Sequence, residues 1–297
     1  MSIPFPPINT GAASVASNTR SIGDILVATG RLSAPNLQRI LDAQAKDKLA
    51  FGDAALPLKL LTKADIDFAL SKQFNYAYLQ EGGTTLGSDL VAAYKPFSPV
   101  GENLRAVRSQ LMLRWFNDQP ANRVLAVVSP GAQDGRSFIA ANLAIVFAQQ
   151  GQRTLLIDAD LRAKTDRSQQ ALFKLGRSPG LSGILSDRGS LESAQAVPGI
   201  PSLTVLAAGA AAPNPQELLG RAGFGELLAQ AAAQYDVVLI DTPAASQFSD
   251  AEIVASRAGA AIMVTRKNQS LLPAATGLAR GFRDGGITLV GAVLNDA

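Results

Sequence analysis

Histidine and cysteine are both absent from this chain of 297 residues. Without histidine, Ser-His and Cys-His catalysis and histidine-ligated metals are excluded, so any general acid or base must be a carboxylate, a lysine or a tyrosine. Without cysteine there is no disulfide frame and no thiolate metal site. Net charge is small as well: 27 basic residues against 24 acidic ones is too even a balance to call for a nucleic-acid partner. No apolar run approaches the roughly 18 to 20 residues that a membrane span requires. The N-terminus lacks the basic stretch and apolar core of a secretory signal. The expectation is a cytoplasmic protein that meets a membrane only through a partner. The chain is long enough to bury a core without staples.

What is present centres on one stretch. Val124-Leu125-Ala126-Val127-Val128 reads as a buried parallel strand, Ser129 to Gly135 as a turn, and Ser137 to Gln150 as a helix stopped by Gly151. That is the layout of a phosphate-binding loop, with backbone N–H groups and a helix N-terminus facing an anion. Ser137 stands where a Mg²⁺-binding hydroxyl belongs. The G-x-x-x-x-G-K-[ST] pattern is incomplete, because Gly131 lies four residues before Gly135 and Arg136 takes the lysine position. Two more apolar runs end in aspartate: Thr154 to Asp158, followed by Ala159-Asp160-Leu161-Arg162, and Val237 to Asp241, followed by Thr242-Pro243. In an open parallel sheet that edge is where ligands sit. A phosphate loop, an Asp-x-Asp and an Asp-Thr-Pro on separate strand ends point together to nucleotide binding.

Further strands are expected over residues 203–207, 260–265 and 287–294, with a helix over 215–219. Residues 163–201 read as a mobile connection holding one short helix near Leu181 to Leu185. The alternation predicts an α/β fold, a doubly wound and mainly parallel sheet. It is preceded by a small, mostly helical, duplicated domain. Ser21-Ile22-Gly23-Asp24 returns as Ala50-Phe51-Gly52-Asp53, Leu32-Ser33 as Leu61-Thr62, and Leu37 and Leu41 as Ile66 and Leu70. Each copy reads as two helices, the second capped by Ser33 or Thr62. Leu37, Ile40 and Leu41, or Ile66, Ala69 and Leu70, form its apolar face. The expected domains are a disordered tail over 1–19, the helical repeat over 20–79, a linker over 80–99 and the nucleotide-binding domain over 100–297. Glu102-x-x-Arg105-x-x-Arg108 opens a helix running to about Phe116, on which Glu102 and Arg105 make an i,i+3 pair.

Arg136-Ser137 in a degenerate Walker A, Asp158-Ala159-Asp160-Leu161-Arg162 as a Walker A′ and Asp241-Thr242-Pro243 as a Walker B resemble the bacterial tyrosine kinases of capsule and exopolysaccharide export. Pro213 to Leu219 and the Glu102, Arg105, Arg108 triplet resemble further segments of that family, in particular its EpsG-type chain-length-determinant branch. The repeat resembles the N-terminal domain of MshE-type secretion ATPases, which implies cyclic di-GMP as a ligand. The kinase resemblance implies ATP and Mg²⁺ as cofactors, and a P-loop of Ala132, Gln133, Asp134, Gly135, Arg136, Ser137 and Phe138 around the phosphates. It implies Ser137, Asp158 and Asp241 at the metal, Arg136, Asp158 and Asp160 as catalytic residues with Asp160 as base, and Asn295 against the adenine. It further implies ring assembly through Glu102, Arg105 and Arg108, and a membrane-embedded chain-length determinant as partner.

Within this sequence no tyrosine-rich tail follows the last strand, and the tyrosines are Tyr76, Tyr78, Tyr94 and Tyr235. A scaffold gated by ATP without phosphotransfer is the alternative reading. A MinD- or ParA-like positioning ATPase is a third, which the absence of a second lysine at Gly131 disfavours.

Overall fold

The computed structural model describes residues 21–73, 79, 86–117, 119–162 and 168–296. The tail over 1–19, together with Tyr76 and Tyr78, lies outside them. The chain divides into two compact units, Met1–Asn75 and Tyr76–Ala297.

The first unit contains α1 (Ile22–Ala28), α2 (Ala34–Asp47), α3 (Phe51–Ala55) and α4 (Lys63–Gln73). The duplicated sequence becomes duplicated packing. A Cβ on Gly23 would lie 2.5 Å from the tip of Leu37, and one on Gly52 would lie 3.3 Å from the tip of Ile66, so in each copy a glycine faces the matching apolar side chain of the next helix. Across the copies, α1 packs on α4 and α2 on α3. Leu26, Ile40, Ala55 and Ala69 are fully buried between them. Arg31 ties the copies at one edge, 2.6 Å from Asp65 and stacked over the Phe68 ring. Thr62 caps α4 through a reciprocal pair of bonds with Asp65. Ser33 makes no such bond; Asn36 stands where the second copy has the reciprocating Asp65, and Pro35 occupies the first turn. Leu41 also departs from the expected face and is 41% exposed.

The second unit is built on strands β1 (Val124–Val128), β2 (Thr154–Asp158), β3 (Gln195–Ala196), β4 (Leu203–Leu206), β5 (Val237–Asp241), β6 (Ala260–Arg266) and β7 (Thr288–Asn295). Their order is β3-β4-β2-β5-β1-β6-β7, parallel except for the β3–β4 pair. Every residue of β1, β2 and β5 is buried, which is why these runs are apolar without alternation. Helices cover both faces: α5 (Val91–Tyr94), α6 (Pro99–Arg114) and α7 (Arg136–Gln149) belong to one core, and α11 (Ala222–Gln234), α12 (Asp250–Ala258) and α13 (Leu272–Asp284) to the other. Two short helices, α8 (Gln169–Leu172) and α9 (Gly180–Ile184), follow β2, and α10 (Pro215–Gly220) precedes α11.

Two segments differ from their sequence reading. Residues 86–99, read as linker, are packed: Leu90, Ala92 and Ala93 are fully buried. Asn142, a polar residue on the buried α7, holds them by accepting from Ala92 N at 2.8 Å and donating to Asp89 O at 2.9 Å. Residues 168–201, read as mobile, carry α8, α9 and β3 and bury Gln169, Phe173 and Leu181. Their anchors are single side chains spaced without period, so pattern alone does not show them. Among the described residues no helix is long and apolar enough to cross a membrane.

Candidate functional site

Parallel pairing sets the tips of β1, β2 and β5 side by side. Asp158 is in register with Asp241, and Asp241 with Val127, so the two aspartates close adjacent strands at the carboxyl edge. After β1 the chain turns through residues 129–135 into α7. Gln133 and Gly135 both adopt positive φ, +64° and +92°. A side chain on Gly135 would be strained by that φ and would push aside the Asn295 amide, 2.1 Å from an added Cβ. The first backbone bond of α7 runs from Ile139 N to Gly135 O. The N–H groups of Arg136, Ser137 and Phe138 precede it, the arrangement that suits a phosphate.

The loop is braced from outside. Asp134, 1% exposed, accepts from Gly131 N at 2.7 Å and from the Ser270 hydroxyl at 2.6 Å. Arg266 donates to Gln133 O, and Asn295 Nδ2 donates to Asp134 O at 3.1 Å. Asn295, expected against adenine, thus spends an amide hydrogen on the P-loop backbone.

Arg136 turns back from the loop into the acidic cluster. One Nη donates to Ser129 Oγ at 2.7 Å, Nε lies 3.4 Å from Asp241 Oδ1, and the other Nη lies 4.0 Å from Asp160. Neither Arg136 Nε nor Asp241 Oδ1 has a hydrogen-bond partner although both are buried, so this is charge proximity without hydrogen-bond geometry. Asp158 accepts from Gln169 N at 2.9 Å and Asp160 N at 3.1 Å. Burial pushes its acid up to about 8, the neighbouring Asp241 and Asp160 charges add to the rise, and the two N–H donors oppose it.

Sequence reasoning missed two residues here. Gln169, fully buried at the start of α8, bonds both aspartates, giving its backbone N–H to Asp158 and its amide Nε2 to Asp241 Oδ2 at 2.7 Å. Asp250, fully buried at the start of α12, grips Arg162 with bonds of 2.7 and 3.2 Å while the guanidinium stacks on Phe248. Neither belongs to a motif, and no periodicity marks them.

The Glu102, Arg105, Arg108 triplet lies elsewhere. Glu102 pairs with Arg105, Arg105 also donates to Pro96 O at 2.6 Å, and Arg108 donates to Val146 O at 3.0 Å. Val146 is about 15 Å along α7 from Arg136, at 1.5 Å per residue. The Tyr94 hydroxyl is buried and donates to Leu86 O, so it is not displayed for modification.

The arrangement fits a nucleotide with Mg²⁺. Among the described residues no group of three or more acidic side chains is placed to chelate a metal. Mg²⁺ prefers few protein ligands and several waters, and one hydroxyl with two nearby carboxylates meets that preference. The unpartnered, buried Asp241 Oδ1 is an acceptor that such an ion or its waters would satisfy.

No family model matches the chain. It is 33% identical over 213 residues to the tyrosine-protein kinase YwqD of Bacillus subtilis (strain 168), covering 72% of this chain and 88% of that protein. It is 36% identical over 209 residues to the tyrosine-protein kinase wzc of Salmonella typhimurium, covering 70% of this chain but only 28% of wzc. Among solved structures, the kinase domain of Escherichia coli tyrosine kinase ETK superposes with a TM-score of 0.66 at 29% identity, over 72% of this chain and 82% of that one. The cell division ATPase MinD of Pyrococcus furiosus superposes with a TM-score of 0.50 at 22% identity, over 58% of this chain and 71% of MinD, a likeness of fold alone. None of these comparisons supports an MshE-type domain or a cyclic di-GMP site in the helical repeat. With the P-loop, the paired strand-tip aspartates and a match over 88% of YwqD in agreement, the chain belongs to the family of bacterial tyrosine-protein kinases.

Proposed function

We propose that this protein binds Mg²⁺·ATP at the tips of β1, β2 and β5 and acts as a tyrosine kinase that regulates exopolysaccharide chain length and export. The observation that carries this reading is the convergence of the P-loop, Ser137, Asp158 and Asp241 at one sheet edge, with Gln169 bonded to both aspartates. In this reading the N–H groups from Ala132 to Phe138 cradle the phosphates, and the Ser137 hydroxyl takes the metal. Asp158 and Asp241 accept hydrogens from the metal's waters. Asp160 receives the proton of the attacking tyrosine hydroxyl, and Arg136 neutralises phosphate charge. The ion supplies charge neutralisation across the transferred phosphoryl group. Phosphoryl transfer demands mainly positioning and charge, so a chain without histidine suffices.

Arg136 must leave Asp241 and Ser129 before it can meet a phosphate, so turnover is slow. The protein works in the cytoplasm, peripheral to the inner membrane through a membrane-embedded chain-length determinant, and assembles with copies of itself through Glu102, Arg105 and Arg108. Calorimetric titration with Mg²⁺·ATP, followed by mass spectrometry of the treated protein, tests the reading. Binding with new phosphotyrosine is expected; binding without it leaves only an ATP-gated scaffold, and no binding refutes the assignment. Glu102→Ala is expected to leave binding and Tm unchanged while lowering the assembled mass in light scattering.

A further inference from the structure

Gln169 is a buried amide whose two ends are treated unequally. Its Nε2 donates to Asp241 Oδ2 at 2.7 Å and to Ser137 O at 3.2 Å, so both hydrogens are used. Its backbone N–H is given to Asp158 at 2.9 Å. One residue therefore ties β2, β5 and the first turn of α7. Both partners of Nε2 are acceptors, and turning the amide over would set Oε1 against a carboxylate and a carbonyl. The orientation is thereby determined.

Gln169 Oε1 is left buried without a hydrogen-bond partner, and Asp241 Oδ1 is left in the same condition. The two carbon centres bearing these oxygens are joined by the Nε2–Oδ2 bond, so the orphaned acceptors belong to one patch. Such acceptors mark a ligand that donates hydrogens. A phosphate oxygen does not donate, and a bare cation prefers charged oxygen. A water held by a divalent cation is a strong donor, and Mg²⁺ retains several of them.

We propose that Gln169 is an outer-sphere ligand of the nucleotide's magnesium, accepting a hydrogen from a water of the ion's shell at Oε1 while Nε2 holds Asp241 and the P-loop helix in place. This rests on the Mg²⁺·ATP reading above. Gln169 is then a positioning residue that acts on metal affinity, and only through it on nucleotide affinity. Outer-shell partners of metal ligands typically change metal affinity by about 10- to 100-fold when removed.

The test measures ADP affinity by calorimetry on the full chain, in Mg²⁺ and in EDTA, for wild type, Gln169→Leu and Gln169→Asn. Wild type is expected to gain affinity when Mg²⁺ is present. Gln169→Leu, which keeps the volume and removes both polar ends, is expected to lose about tenfold of that gain while its affinity in EDTA stays within about twofold of wild type. Gln169→Asn, which retracts the amide, is expected to behave alike and serves where the leucine variant melts early. An equal loss in Mg²⁺ and EDTA, or an intact gain in both variants, overturns the proposal and leaves the nucleotide site standing. A wild type that binds no nucleotide in either buffer overturns the parent reading, and this one with it.

Discussion

Arg136 and Arg162 both face buried aspartates at the same sheet edge, and they are held in opposite ways. Arg162 meets Asp250 through a two-bond fork of 2.7 and 3.2 Å, with its guanidinium stacked on Phe248. Arg136 meets Asp241 at 3.4 Å and Asp160 at 4.0 Å, with buried atoms on both sides of the first contact unpartnered. The first pair is closed, each carboxylate oxygen accepting one guanidinium hydrogen. The second is loose, two carboxylates beside one guanidinium, and it keeps an acceptor in reserve. A fork of that kind is a fastening between the Asp158 loop and α12, whereas a cluster with unspent hydrogen-bonding capacity is a place where something else binds.

The contrast breaks first under pH. Asp158 in the loose cluster has its acid raised to about 8, chiefly by burial, far above the ordinary aspartate range. Between the ordinary value and about 8 the folded protein holds a proton that the unfolded chain has released, so stability falls as pH rises through that window. The melting temperature of the nucleotide-free protein is expected to drop on the order of 10 °C from pH 5 to pH 8. Asp158→Asn should flatten that slope, and a flat wild-type profile would show that the cluster carries no stored charge.

The closed pair comes next. Arg162→Ala strands the Asp250 carboxylate, which is 0% exposed, while its partner's side chain was 29% exposed. Breaking a fully buried pair costs about 3 to 5 kcal/mol, and the half-wet guanidinium brings the expectation down to about 2 kcal/mol, a Tm loss on the order of 5 °C. Nucleotide affinity measured below that Tm should stay near wild type. The smallest thermal effect belongs to Arg136→Lys, which exchanges a guanidinium with few hydrogen bonds for a compact ammonium. Melting should move by less than about 2 °C. Turnover in an ATPase and autophosphorylation assay should rise about tenfold, because lysine leaves the cluster more readily; a clear fall would instead make arginine the functional choice at this position.

These pairs also separate what could be read early from what could not. The strands ending in Asp158 and Asp241 announce themselves as apolar runs without alternation, because both faces of each strand are buried. The duplicated helices are equally legible, since a repeated glycine meets a repeated Leu37 or Ile66. The helix bearing Glu102 and Arg105, and their pair, follow from i,i+3 spacing. Asp250 and Gln169 carry no such mark. Each is one polar residue at a helix start, and its value comes from partners 88 and 72 residues away in sequence. The packing of residues 86–95 escapes for the same reason, since its polar anchors, the Asn142 and Gln149 amides, lie some fifty residues further along the chain.

By itself the sequence determined the alternation of strand and helix, the glycine-bearing loop after β1 and the acidic endings of β2 and β5. These are local properties, set by hydrophobic period and backbone dihedral preference, and they read without knowledge of neighbours. Tertiary structure alone decided that Asp158 and Asp241 stand in register, that Gln169 bridges them, and that Arg136 folds back among them. Register and hydrogen bonds between distant segments depend on where each chain segment lands once the core closes, and only burial makes an unpaired oxygen costly enough to have meaning.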